Sequence, residues 1–278
     1  MAEFRGVYPA IITPMTADGR LNEAALREVM EFNIQAGVQG FWVAGGTGES
    51  VLLDDEENMR VAEIVADQSR GRIENIMHVG AVTTARATKL AEHAAKVGVE
   101  AICCVPPFFY TQSHDAMVEH YRAVGAAANL PLFAYNVPGF TGVEITLDLM
   151  QKIQDGVPQL RGMKHSAGNF GNIGAFAKMG LNSFTGSSML MLPALTIGAA
   201  GCVDGAPNVA PELWVEIWNA YNAGDLARAQ AAQDRATEFV RVYRRFQFHA
   251  AAKAGLSERL GIDCGSPRPP GQPLTPNE

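Results

Sequence analysis

From its N-terminus the chain alternates short apolar runs with longer stretches in which apolar residues recur at helical spacing. The runs are VYPAIIT, GFWVAGG, IMHVGAV, AICCVPP, LPLFAYNV, LRGMKH, NSFTGS and GCVDG. Helical patterns between them cover residues 23–35, 56–69, 84–96, 115–127, 147–154, 173–177 and 189–197. Near-continuous apolar strands separated by helices predict parallel strands covered on both faces. Eight such units in about 205 residues fit an α/β chain closed into a (β/α)8 TIM barrel. A doubly wound open sheet is the rival, placed second because the repeats show no break in composition.

After the eighth run, residues 211–260 read as two or three additional C-terminal helices, the first two separated by Gly224. The expected organisation is a barrel over 1–208, a helical extension over 209–262 and a Pro-rich tail over 263–278. The tail, CGSPRPPGQPLTPNE, is expected as an extended strap or a frayed end.

Composition narrows the classes of function. The 278 residues are 47% hydrophobic and 18% charged, enough for one sizeable core and too apolar for disorder. The net charge is −7, and no lysine or arginine run is long enough to track phosphates, so nucleic acid is not an expected partner. No segment reaches the roughly 18 apolar residues of a membrane helix, and the first residues, MAEFRGVYPA, lack a signal-sequence pattern. The four cysteines lack metal-ligand spacing and read as small buried hydrophobes in a reducing cytoplasm. His78 and His114 likewise show no metal pattern.

In a barrel of this kind chemistry sits where strands end and the following loops begin. After the second run comes AGGTGES, residues 44–50. It is neither a Walker loop nor a dinucleotide fingerprint. As an isolated glycine turn it is structural; at a barrel mouth it becomes a carboxylate cradle, its N–H groups converging on an anion and Thr47 adding a hydroxyl. Tyr135, at the end of the fifth run, is either a core tyrosine or one whose phenol reaches the mouth, level with Lys164 on the sixth. Lys164 is either a snorkelling lysine or a desolvated amine, since Gly162 and Met163 beside it offer no carboxylate. Burial disfavours the charged form of an amine. A neutral amine attacks a ketone or aldehyde to give a Schiff base, and Tyr135 is placed to act as its general acid and base. His165 alternates to the other side of the strand and is read as packing.

These motifs together resemble the family of dihydrodipicolinate synthase and N-acetylneuraminate lyase. The resemblance covers most of the chain, through GVYPAIITPMTADG, GGTGES, PPFFY, YNVPGFTG, GMKHSAGN and GCVDGAPNVAP. It implies a homotetrameric barrel that forms an imine with pyruvate and needs no cofactor. Carried over by position, Lys164 is the Schiff-base lysine and Tyr135 the proton-handling tyrosine. Gly46 and Thr47 donate N–H groups to the pyruvyl carboxylate, and Val203 lines the pocket.

Departures from the family pattern bear on substrate. Phe140 stands where the synthases carry an arginine for the second substrate's carboxylate, so that activity loses its clamp. Ser188 and Met189 stand where sialic acid lyases place acidic residues. The hydroxyl residue and the crossing tyrosine of the relay are replaced by Gly46 and Phe109, with Tyr110 a substitute only if its loop is offset by one residue. GGTGE is similar to the decarboxylating keto-deoxy sugar acid dehydratases of the family. Asp204 either accepts hydrogen bonds from substrate hydroxyls or caps its loop. The expectation is a class I lyase cleaving or forming a bond to a pyruvyl unit, with a sugar-acid-like substrate or an aldehyde as the other part. Dehydration is the alternative, and a non-catalytic, metabolite-sensing barrel is the reading from a different class.

Overall fold

The computed structural model describes residues 3–275 and 277–278. The chain runs β1 (Gly6–Pro9), α1 (Glu23–Gln35), β2 (Gly40–Val43), α2 (Asp55–Ser69), β3 (Glu74–His78), α3 (Thr84–Val97), β4 (Ala101–Cys104) and α4 (His114–Ala128). It continues through β5 (Leu132–Asn136), α5 (Pro138–Thr141), α6 (Leu147–Gly156), β6 (Leu160–His165), α7 (Asn172–Lys178), β7 (Asn182–Thr185), α8 (Met191–Thr196) and β8 (Gly201–Asp204). Three helices follow: α9 (Pro211–Asn222), α10 (Leu226–Tyr243) and α11 (Phe248–Leu260).

All eight strands are parallel, in the order β1-β8-β7-β6-β5-β4-β3-β2. A bridge between Ala10 and Trp42 and the Ile11 N–H donated to the Trp42 carbonyl at 3.0 Å join β1 to β2. The rival open sheet is thereby excluded. Helix starts follow local chemistry. Asn22, Thr83, Ser113 and Thr146 each accept an N–H of the first turn through the side chain, and Asp54 with Glu57 forms a reciprocal capping box. The helix expected over 189–197 begins instead as a 3-10 turn at Ser188–Leu190, and α8 is confined to Met191–Thr196. The short α5 had no separate periodic signal, because four residues are too few to show one.

Alternation along the strands sorts side chains into two cores. Phe41, Val43, Ile102, Cys104, Ala134, Met163 and Cys202 pack outward under the helices. Tyr8, Trp42, Ile76, Cys103, Phe133, Tyr135, Phe184 and Val203 fill the barrel. Lys164 shares the parity of Gly162, so both face inward. A Cβ at Gly162 would collide with the Asn182 carbonyl and the Phe133 ring. The floor beneath the lysine is therefore aromatic.

The C-terminal helices return to the barrel. Trp214 of α9 and Gln233 of α10 both donate to the Ser188 carbonyl, at 3.0 and 3.2 Å. α11 carries Lys253, whose Nζ lies 2.7 Å from the Glu49 carboxylate, with both side chains almost wholly enclosed. The same ammonium donates to the Ser266 carbonyl at 3.0 Å, and the Arg268 N–H donates to the other Glu49 oxygen at 2.7 Å. Cys264 is fully buried, its carbonyl accepting the Met15 N–H, and Arg268 pairs with Glu57 at 2.7 Å. Among the described residues no helix is long and apolar enough to cross a membrane.

Removing one member of a buried ion pair strands the other charge. Lys253→Met is expected to lower stability by about 3–5 kcal/mol in chemical denaturation, and Lys253→Met with Glu49→Leu to recover much of the loss. A second expectation concerns pH. Burial holds His78 and His120 down to about 4, with Lys164 adding to the effect at His78. Both are thus neutral in the fold, whereas the unfolded chain takes up their protons near the ordinary 6.5. Because the folded values are depressed, their contribution is intact above the unfolded value and is lost as pH falls towards the folded one. His78→Gln should flatten the decline of unfolding free energy across that window; an unchanged slope would remove His78 from the account.

Candidate active site

The register of β5 against β6 pairs Tyr135 with Lys164. Both residues are 5% exposed. The Lys164 ammonium nitrogen lies 4.4 Å from the Tyr135 ring centroid and 5.4 Å from that of Trp42, a geometry in which the ring faces take the place of a counter-ion. Among the described residues Lys164 forms no ion pair, and the Tyr135 hydroxyl has no protein hydrogen bond. A cavity of about 310 Å³ opens above the lysine, its wall including Thr47, Phe140, Ser166, Asp204 and His249. A second lobe of about 280 Å³ shares Gly46, Tyr135, Phe140 and His249 with it and extends to Ser50, His78, Val105 and Phe108.

The glycine turn forms one rim. Ala44 and Glu49 adopt positive φ, 48° and 58°, which folds the segment back on itself. Gly48 is needed there because a Cβ would press on the Ala44 backbone. Thr13 donates its hydroxyl to the Gly48 carbonyl at 2.7 Å, and the Glu49 N–H donates to the Gly46 carbonyl at 3.2 Å. The backbone N–H groups of Gly46 and Thr47 donate to no acceptor among the described residues. Two free, neighbouring donors at the edge of a cavity suit an anion.

The other residues singled out by sequence divide. Phe140 is 78% exposed at the mouth and lines both lobes. No arginine and no second lysine lines either lobe among the described residues. Asp204 reaches the wall, but its carboxylate accepts the Ser188 N–H at 2.9 Å and the Gly205 N–H at 2.7 Å. The capping reading of Asp204 therefore describes its contacts. Val203 is enclosed in the barrel interior, beside rather than on the lining.

One expectation is corrected. Ser188 lines neither lobe: it is fully buried, and its backbone carbonyl accepts from Trp214 of α9 and Gln233 of α10. Tyr110, expected as a relay group only by crossing from a neighbouring subunit, stands clear of Tyr135 of its own chain. It is 66% exposed, and its ring meets Phe109 edge-on at 5.0 Å on a loop bent by a φ of 76° at Phe109. His165 packs on Phe176 of α7 at 5.6 Å and meets the Asn169 carbonyl at 2.8 Å, outside the barrel.

Three residues of the cavity had drawn no functional reading. His78 ends β3, and its ring centroid lies 6.3 Å from that of Tyr135, with Nδ1 3.5 Å from Ser50 Oγ and Nε2 buried without a partner. Its place at a strand end was a signal available from sequence. Ser166 follows Lys164 by two residues and shares its face. His249 had no signal at all, because it begins a helix beyond the barrel and 203 residues from the Gly46 carbonyl it meets at 2.9 Å.

Comparison with known proteins follows from this geometry. Residues 3–278 match the family model described as Dihydrodipicolinate synthetase family. The chain is 34% identical to a 4-hydroxy-tetrahydrodipicolinate synthase of Methanothrix thermoacetophila, over 86% of this chain and 81% of that one. It is 33% identical to an N-acetylneuraminate lyase of Escherichia fergusonii, over 85% and 80%. Wild-type sialic acid aldolase of Ruminococcus gnavus superposes with a TM-score of 0.94 at 27% identity, covering 99% of this chain and 93% of that one. With a barrel of this order, a lysine and a tyrosine paired across β5 and β6, and a match over nearly its whole length, the chain belongs to the dihydrodipicolinate synthetase family of lyases.

Proposed function

We propose that the protein is a class I aldolase in which the Lys164 amine condenses with the keto group of a 2-oxo acid, pyruvate being the simplest. Condensation releases water and leaves a protonated imine, which withdraws electrons from the neighbouring carbon. Retro-aldol cleavage then frees an aldehyde and leaves the pyruvyl unit on the lysine, to be released by hydrolysis. No cofactor is required, since the imine itself is the electron sink.

The observation that carries this reading is an amine inside a barrel with no carboxylate beside it. An ammonium held for structure would be paired. Tyr135, its hydroxyl without a protein partner, is the group that moves the proton. The free N–H groups of Gly46 and Thr47 hold the carboxylate next to the keto carbon.

The aldehyde is read as a hydroxylated, sugar-acid-like fragment. Thr47 and Ser166 supply hydroxyl groups to the lobe above Lys164. A semialdehyde with a distal carboxylate has no arginine to meet it, because Phe140 occupies the mouth. The exposed Phe109, Tyr110, Val51 and Phe140 supply apolar surface for a neighbouring subunit, in keeping with a homotetramer.

Borohydride reduction in the presence of pyruvate should add the mass of a reduced pyruvyl group to the peptide that carries Lys164. Lys164→Met should abolish both the label and turnover; full turnover in that variant would sink the mechanism. Tyr135→Phe should retain the label and lose about 10²- to 10⁴-fold in kcat. Product analysis separates the two fates of the imine. Free pyruvate from a keto-deoxy sugar acid supports aldol cleavage, and a dehydrated product without pyruvate assigns dehydration.

A further inference from the structure

α11 meets the glycine turn at two points spaced one helical turn apart. His249 Nε2 lies 2.9 Å from the Gly46 carbonyl oxygen, and Lys253 Nζ lies 2.7 Å from the Glu49 carboxylate. Residues four apart lie on one face of a helix, so a single face of α11 holds both ends of the segment that contains Gly46 and Thr47. Within the turn, the Glu49 N–H also donates to the Gly46 carbonyl, at 3.2 Å.

We propose that His249 is a positioning residue of the 2-oxo acid site, which makes the C-terminal helix part of the carboxylate cradle. The Gly46–Thr47 peptide is planar, so the Thr47 N–H projects on the side opposite the Gly46 carbonyl. An imidazole N–H holding that carbonyl sets the direction in which the Thr47 donor points. The contact requires the tautomer with its proton on Nε2, and the Gly46 carbonyl can only accept.

Other features of the turn make this contact decisive. Gly46 has no side chain to restrict its own peptide, and it is exposed at the cavity rim. Thr13 anchors the turn at the Gly48 carbonyl and Lys253 at Glu49, both beyond the peptide in question. His249 is the side chain that grips it directly, and its half-exposed position on the surface of α11 allows substitution without opening the core.

This inference rests on the proposed imine chemistry, and the test is arranged so that each can fail separately. Half-saturating concentrations for borohydride labelling of Lys164 are measured with pyruvate and with methyl pyruvate, which keeps the ketone and lacks the anion. His249→Ala is expected to raise the value for pyruvate about tenfold, the scale of one hydrogen bond to a charged-ligand site, and to leave that for methyl pyruvate unchanged. His249→Gln, which can donate an N–H, should restore most of the difference. A general disturbance of the cavity would shift both ligands alike and overturn the proposal, as would an unshifted value for pyruvate. Absence of label in the wild-type protein would instead sink the imine reading and this inference together.

Discussion

An unpaired amine enclosed by aromatic rings is the feature around which the rest of the molecule is arranged. Lys164 is almost wholly buried and meets solvent only through the cavity above it, and no carboxylate pairs with it. Such a placement costs stability unless ring faces and a ligand compensate. Trp42 and Tyr135 supply the faces, and Gly162 lets Phe133 fill the space below. The closed sheet that enforces this enclosure also fixes Tyr135 in register beside the amine. Chemistry and architecture share one constraint.

The glycine-turn rim depends on a different kind of closure. Its donors belong to a loop after β2, but the groups that hold that loop come from the last helix and the tail. The buried pair of Glu49 and Lys253, with the Ser266 carbonyl and the Arg268 N–H at its edge, joins segments more than 200 residues apart, as the separation of 219 between Glu49 and Arg268 shows. The extension after the barrel thus secures the rim of the cavity rather than merely covering helices.

The upper walls of the cavity mix apolar and polar groups. Phe140 offers an apolar ring at the mouth, while Thr47 and Ser166 bring hydroxyl groups to the wall. Asp204 already accepts two backbone N–H groups, and Ser188 is buried outside both lobes. The polar contacts available to a substrate's tail are therefore fewer than the chain's side chains alone imply, and they come from different elements.

The alternation of apolar and polar residues was sufficient to determine the eight strand–helix units, because period two and period 3.6 are local properties that each strand and helix expresses by itself; closure of the sheet, which excludes the open alternative, rests on the contact of β1 with β2. The same parity put Lys164 and Tyr135 inward and His165 outward. Phe140 at the mouth was legible from its motif, and His78 could have been read from its place at a strand end. What only the tertiary structure decided were contacts between distant segments: the hold of α9 and α10 on the Ser188 carbonyl, the capping of two loops by Asp204, and the arrival of His249 at Gly46. These follow from how helices pack after the barrel closes. No local pattern encodes them, since the partner of each side chain lies on an element whose position is set by the whole fold.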